Sequence, residues 1–269
     1  MKTKSEIIEI NKAQKEFYNT KKRNFITTAW SKFRGKVLGD LRKNIGISEQ
    51  IYAQHKLWLG DMSSKKVLDL GCFEGNALSI YIAQNCKEYI GIDLSDIAIE
   101  KLNERLKDIP SAKAIAADFL SDEDFGESNF DIIYAYGVLH HFQNTQILIG
   151  KLKEKLTPGG IIISYDPLNT SLPVKVVRTL YRPFQSDANW EWPFTKKTYY
   201  KYQSEFNIIE KRAVLGKSKY AMLINLMPLS SSYKSKLMKK WHEKDWEKSK
   251  ISDNYLFSCM HLTMKIQNK

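Results

Sequence analysis

From residue 66 the chain alternates short apolar runs with helical stretches, and this alternation constrains the fold more than any other feature. The runs are VLDL at 67–70, YIGI at 89–92, KAIAA at 113–117, FDIIYAY at 130–136 and IIIS at 161–164. Each has strand length, while 76–85, 96–106 and 145–156 carry apolar residues at helical period. Such alternation calls for parallel βαβ units around a sheet buried on both faces, with ligands at the carboxyl ends of its strands. After Asp166 the rhythm breaks: 167–194 holds four prolines and the aromatics Phe184, Trp190, Trp192 and Phe194, and reads as an insert. A helix over 195–206, a strand near 207–214, a basic helical stretch near 229–248 and a strand near 254–266 complete an α/β chain. Its seven-stranded sheet is mostly parallel, with an antiparallel last strand.

Ahead of this region, 1–60 places Ile7, Ile10, Phe17, Phe25, Trp30, Phe33, Val37, Leu41, Ile51 and Leu57 at helical spacing, which predicts an N-terminal helical cap. The remainder, 61–269, is expected to form one domain, with an acceptor-binding insert near 167–194 and a basic helical insert near 217–250. The 269 residues suffice for one large α/β domain with helical additions. No apolar segment of signal-peptide or membrane-spanning length occurs, and Cys72, Cys86 and Cys259 lack metal spacing, so a reduced, cytoplasmic protein without a metal is expected.

Charge is unevenly spread. Residues 1–60 carry 13 Lys/Arg against 5 Asp/Glu and residues 211–250 carry 11 against 3, whereas 61–210 carry 16 against 21. Basic flanks attract phosphate-bearing partners, although solvated helix faces account for most such runs. The stretch 229–248 sets Tyr233, Leu237, Met238 and Trp241 on one face among lysines. A lid or homodimer helix packed on its own fold is the preferred reading, and peripheral contact with an anionic membrane the alternative.

The segment Val67 to Gly75, VLDLGCFEG, leaves a strand, crosses a glycine turn and enters a helix. Gly71 and Gly75 permit tight backbone geometry, and helix-terminal N–H groups beyond them face an anionic group. Asp93 ends the second strand, where a carboxylate accepts from both hydroxyls of a ribose. Together these features describe a nucleoside site. A nicotinamide fingerprint needs three glycines in G-x-G-x-x-G, which this turn lacks.

These residues resemble the class I S-adenosylmethionine-dependent methyltransferases, particularly the small-molecule branch. The first motif of that family appears as Asp69, Gly71, Phe73 and Gly75, with Phe73 in place of the middle glycine. Its ribose-binding acid matches Asp93, its adenine-edge acid and following apolar residue match Asp118 and Phe119, and its fourth-strand motif matches 130–142. Leu156-Thr-Pro-Gly-Gly160 matches the turn before strand five. The resemblance spans about residues 65 to 166. It implies a Rossmann-like sheet and S-adenosyl-L-methionine as cofactor. Asp69, Gly71, Cys72 and Gly75 would then lie at the methionine end, Asp93 and Leu94 at the ribose, and Asp118 and Phe119 at the adenine. Tyr136 would stand near the methionine moiety.

A sulfonium methyl is already electrophilic, so the protein chiefly aligns the acceptor and excludes water. A neutral hydroxyl also needs a base. His141, and after it His140, follow strand four at the mouth of the site, and Asp166 at the end of strand five is placed to orient the base or grip the acceptor. In the insert, Trp190, Glu191 and Trp192 offer flat faces beside a carboxylate, which suits polyhydroxylated rings, while Arg178 and Arg182 suit phosphate or carboxylate. Buried tryptophans pinning a loop are the plainer reading. The leading expectation is an O-methyltransferase acting on a sugar, glycan intermediate or similar small molecule. N- or C-methylation, RNA methylation using the basic flanks, and a nucleoside-binding protein without catalysis stand as alternatives. Nucleic acid is the less favoured partner, because no NPPY-like tetrapeptide follows strand four.

Overall fold

The computed structural model describes residues 4–20, 25–35, 39–121, 123 and 125–269. Val37, in the expected N-terminal cap, lies outside the described residues, as do the side chains of Ile7, Trp30 and Phe33.

Seven strands form one sheet: β1 (Lys66–Leu70), β2 (Glu88–Asp93), β3 (Ala112–Ala116), β4 (Phe130–Tyr136), β5 (Leu156–Pro167), β6 (Phe206–Val214) and β7 (His261–Asn268). Their order is β3-β2-β1-β4-β5-β7-β6. Strands β1 to β5 pair in parallel, and β7 inserts antiparallel to both β5 and β6. The strand order reverses between β1 and β4, which opens a crevice at their carboxyl ends. Leu156-Thr-Pro-Gly-Gly160, expected as a turn before β5, belongs to the strand. Phe130 pairs with Leu156 and Ile132 with Ile161, so the extra residues are taken up as an irregularity in register. The last strand starts later than expected. Ser252 caps the Tyr255 N–H at 3.2 Å, and 253–256 becomes a helical turn instead.

Between the strands lie α5 (Ala77–Asn85), α6 (Asp96–Leu106), α7 (Thr145–Lys155) and α9 (Lys196–Glu205). Side-chain caps start each of them: Asn76, Ser95, Asn144 and Thr195 accept first-turn N–H groups. On one sheet face Leu148, Leu152, Tyr199 and Tyr202 pack on Ile133 and Ile162, and on the other Ile82, Leu102 and Trp58 pack on Ile132 and Ile163. The insert contains α8 (Leu172–Tyr181), opened by Pro173 in its first turn, and then two short 3₁₀ turns.

The N-terminal helices are α1 (Lys4–Thr20), α2 (Phe25–Arg34), α3 (Asp40–Ile45) and α4 (Ile47–Leu59). Helix α1 meets α6, α2 meets the insert, and α3 and α4 pack toward the sheet. His55 of α4 is fully buried, 2.7 Å from Thr263 Oγ1 and 3.4 Å from the Tyr134 hydroxyl, and Trp58 donates to Glu210. Leu41, Ile45, Ile47 and Ile51 share a core with Val214, Leu215, and Met238 and Trp246 of α10 (Ser231–Ile251). The basic helix α10 thus packs on its own fold. Met238 and Trp246 are buried, Leu237 and Trp241 are half-buried, and Tyr233 is exposed.

Candidate functional site

The crevice at the reversal point is a cleft of about 240 Å³. Its floor is the glycine turn. Gly71 and Cys72 both donate to the Ile92 carbonyl, at 2.8 and 3.1 Å, which draws the chain from β1 toward β2. Gly71 has φ +69°, and a Cβ there would fall 2.4 Å from Val138. Only glycine allows this turn to lie against the one after β4. At Gly75, φ +74°, a Cβ would meet Leu102 of α6 at 2.6 Å, so this glycine serves helix packing. Phe73 adopts φ +49°, the left-handed conformation a glycine would take freely, at a cost of about 1 kcal/mol. Its ring lines the cleft. Gly137, also lining it, has φ +76° and open space where a Cβ would stand.

Of the residues expected to hold a nucleoside, Gly71, Asp93, Leu94, Asp118, Phe119 and Tyr136 line this cleft together, with Ile92, Ala117 and Leu120 between them. Asp93 accepts from the Phe73 N–H at 3.0 Å and the Ser95 N–H at 2.9 Å, so one carboxylate fixes the glycine turn and the start of α6. Burial raises its pKa above the usual carboxylate range, and those backbone donors pull against it. Asp118 Oδ1 accepts from the Leu120 N–H at 2.9 Å, so its turn-making role and its place in the cleft coexist. Asp69 and Cys72 are buried behind the lining. Asp69 accepts from the Tyr89 hydroxyl at 2.8 Å, and burial pushes its carboxyl up to about 6. Burial also raises the Cys72 thiol well above its ordinary value, which leaves it unreactive.

The two histidines occupy a 3₁₀ turn over 139–141. His141 Nδ1 lies 2.8 Å from the Trp190 carbonyl. A carbonyl only accepts, so Nδ1 carries the proton and Nε2 keeps its lone pair. His141 lines the cleft, and its Nε2 stands 3.2 Å from the Tyr18 hydroxyl. Burial, then repulsion from His140, lowers its pKa to about 4. His140 packs 4.1 Å from the His141 ring but is not part of the lining. Its Nδ1 and backbone N–H both meet Asp166 Oδ1, at 2.8 and 3.1 Å. Burial of this pair lowers the histidine and raises the carboxyl, so both groups are driven toward their uncharged forms.

The insert residues brace this turn. Trp192 N–H donates to the His140 carbonyl at 2.7 Å, as the Trp190 carbonyl accepts from His141. Arg182 reaches the Ala188 and Glu191 carbonyls, and Glu191 accepts from Gln185, with its pKa raised by burial and by Asp187. Arg178 lies near enough to lower His140 and Glu191 electrostatically. Among the described residues, Asp166 Oδ2, Asp187 Oδ1 and Trp190 Nε1 are buried here without a hydrogen-bond partner, the kind of deficit a polar ligand relieves.

Several residues at this site escape sequence reasoning. Gln14 and Tyr18 of α1 close over the cleft. Asn19 bonds Asp96 at 2.7 Å and Ser95 at 2.6 Å, and Lys15 pairs with Asp96 at 2.9 Å, so α1 is clipped to α6 two residues past Asp93. From Tyr136 an aromatic row continues through Tyr165, at 4.8 Å, to His261, at 5.4 Å, where Arg42 Nη2 is 3.3 Å from the imidazole. Tyr52 meets Tyr136 edge-on. These residues come from α1, α3, α4, β5 and β7, and no local motif announces them.

Comparison with known proteins bears on this geometry. Residues 68–162 match a family model described as a methyltransferase domain. An uncharacterized methyltransferase of Synechocystis is 27% identical over 185 residues, covering 65% of this chain and 82% of that protein. Other curated relatives are matched over only about two fifths of their own length. The N-methyltransferase NodS of Bradyrhizobium japonicum, solved with S-adenosyl-L-homocysteine, shares the fold with a TM-score of 0.53. It is 16% identical and is matched over 82% of this chain and 86% of its own. Geranyl diphosphate C-methyltransferase of Streptomyces coelicolor gives 0.56 at 11% identity, over 89% and 86%.

Proposed function

We infer that this chain, which carries a class I S-adenosylmethionine-dependent methyltransferase domain, methylates a hydroxyl of a small molecule, such as a sugar or glycan intermediate. The observation that carries the hydroxyl reading is the His141 Nε2 lone pair, held at the wall of the cleft by the Nδ1 bond to Trp190. The residues present fit the cofactor. Gly137 leaves open space in the lining, Asp93 offers a carboxylate suited to a ribose diol, and Asp118 with Phe119 offers an acceptor and a flat face suited to adenine. Bound there, S-adenosylmethionine supplies an electrophilic methyl group on a sulfonium. The protein's part is alignment and proton removal. His141 takes the acceptor proton at Nε2. Asp166 holds the 3₁₀ turn through the His140 backbone and ring, which sets the position of its neighbour. Tyr18 and Gln14 exclude water from above. Trp190, Glu191, Trp192, Arg178 and Arg182, none of which lines the cleft itself, support the acceptor side from behind the histidine turn, and the unpartnered Trp190 Nε1 favours a polar acceptor.

Methyl transfer to a panel of hydroxyl and amine acceptors tests this. Transfer to a hydroxyl that His141→Ala and His140→Ala lower by about 10² or more supports it. Turnover undiminished by both changes moves the reading to N-methylation, the activity named for NodS, where an uncharged amine needs no protein base.

A further inference from the structure

Helix α8 is built the wrong way round for a helix of the core. Leu172, Val176 and Leu180, four residues apart, form one stripe. Leu172 is 74% and Leu180 71% exposed, and Val176 is half exposed, while Val174 alone on this helix is buried. In α6, by contrast, Ala98, Ile99, Leu102 and Leu106 all face inward. The apolar surface continues on both sides. Thr27 of α2 bonds the Phe184 carbonyl at 2.9 Å and Ser186 at 3.0 Å, bringing Phe25, 85% exposed, beside the insert. On the other side Lys219 reaches Ser171, the residue before α8, from a 3₁₀ segment whose Leu223 is exposed, as is the adjoining Met227.

Among the described residues the exposed charge on these segments is positive. Lys32 of α2, Lys175 of α8, Arg182 just after it and Lys217 just ahead of the 218–227 segment are exposed cations, and the insert's Asp187 and Glu191 are partly covered. A protein partner with an apolar face would leave these cations to be matched one by one. A bilayer of anionic lipid supplies an apolar layer and a phosphate layer together. No described helix is long and apolar enough to cross a membrane. We propose that α8, with the flanking α2 and 218–227 segments, is an interfacial surface that seats the protein on anionic membrane. The apolar stripe enters the headgroup boundary and the lysines meet lipid phosphate. Because the same insert braces His140 and His141 through Trp190 and Trp192, docking would set the acceptor side of the site against the headgroup layer.

Co-sedimentation with vesicles tests this on the full chain. Vesicles of equal phosphatidylcholine and phosphatidylglycerol should bind at least about tenfold tighter than phosphatidylcholine alone, with affinity falling as salt rises. Val176→Asp with Leu180→Asp should lose binding by about tenfold or more, with S-adenosylhomocysteine affinity unchanged by calorimetry as the measure of folding. Leu172→Ser with Leu180→Ser is the milder second variant. Equal affinity for both vesicles overturns the proposal, as does full binding by either folded variant. So does a dimer in analytical ultracentrifugation that these substitutions dissociate while vesicles go unbound, since a second copy would then be the occupant.

Discussion

The Tyr18 hydroxyl stands 3.2 Å from His141 Nε2, and because His141 donates its only ring proton to the Trp190 carbonyl, the phenol is the donor across this gap. The proposed base is therefore capped by a group from α1, more than a hundred residues earlier in the chain. In the proposed reaction an acceptor hydroxyl takes the place of that phenol when it reaches Nε2. Tyr18→Phe is expected to keep turnover within about twofold and to lower KM for the acceptor, since no hydrogen bond is lost on displacement. His141→Ala is expected to lower kcat by about 10² or more. Steady-state kinetics on the two variants separates cap from base, and a loss in Tyr18→Phe as deep as that in His141→Ala would sink the assignment.

Ring protonation of His141 gives a second check. Burial sets its pKa at about 4, below the ordinary value for histidine. The folded protein then keeps this ring neutral down to pH 5, and the lone pair is present throughout the range in which most bases of this kind switch off. Side-chain NMR, assigned with His141→Asn, should show no titration of this ring between pH 8 and 5. A midpoint near 6.5 contradicts the burial argument.

Asp93, the proposed ribose-binding acid, also fixes loop geometry, since it accepts from Phe73 and Ser95 while lining the cleft. Asp93→Ala removes a charged acceptor and leaves both donors short of a partner. Hydrogen bonds to charged groups contribute roughly 1.5–3 kcal/mol, so S-adenosylhomocysteine affinity should fall by about 10- to 100-fold in calorimetry. Asp69→Asn, a change behind the lining, should weaken binding far less.

His55 contributes stability that depends on pH. Burial holds its pKa at about 3, so the unfolded chain takes up a proton below about 6.5 that the folded chain refuses. Its stabilisation is fully present above the unfolded value and is lost as pH falls toward 3, at up to about 1.4 kcal/mol per unit. His140 and His141 act in the same sense, whereas Asp69 and Asp166, raised by burial, act in the opposite one. The comparison with His55→Gln isolates the one group. Urea unfolding at pH 7 and 5 should show a steeper loss in the natural protein than in the variant.

Legibility from sequence followed how local each signal was. Gly71 and Asp93 stood out because a glycine turn and a strand-end carboxylate are set by neighbours within a few residues, Asp118 through the family resemblance, and the parallel pairing of β1 to β5 followed from the βα alternation. The strand expected near 254–266 began at His261 because the Ser252 cap turned 253–256 into helix. Phe73 kept the loop's path without the glycine by accepting a left-handed backbone. What no pattern announced was assembled by tertiary packing: Tyr18 over His141, and Arg42 at the end of the row from Tyr136 through Tyr165 to His261. The face of α10 was read partly, since a helical wheel places Met238 but cannot show that Asp245 is buried at a loop.

That loop yields a strong stability prediction. Asp245 of α10 is wholly buried and accepts from the backbone N–H groups of Gly216, Lys217 and Ser218, at 2.7–2.9 Å, and from the hydroxyls of Ser218 and Tyr255, at 2.6 Å. The turn after β6 wraps the carboxylate so closely that a Cβ at Gly216 would stand 2.7 Å from Oδ1. Asp245→Ala leaves three backbone donors without an acceptor, those of Gly216 and Ser218 buried, each buried donor costing about 1–3 kcal/mol, though not additively. A total near 3–5 kcal/mol is expected in urea unfolding. Asp245→Asn keeps one acceptor oxygen and puts an NH₂ against donors, so it should recover little of the loss. Since this loop sits away from the glycine turn, the fraction that remains folded should bind S-adenosylhomocysteine with the affinity of the natural protein. Weakened binding in that folded fraction would tie α10 to the cofactor cleft and refute the separation drawn between them.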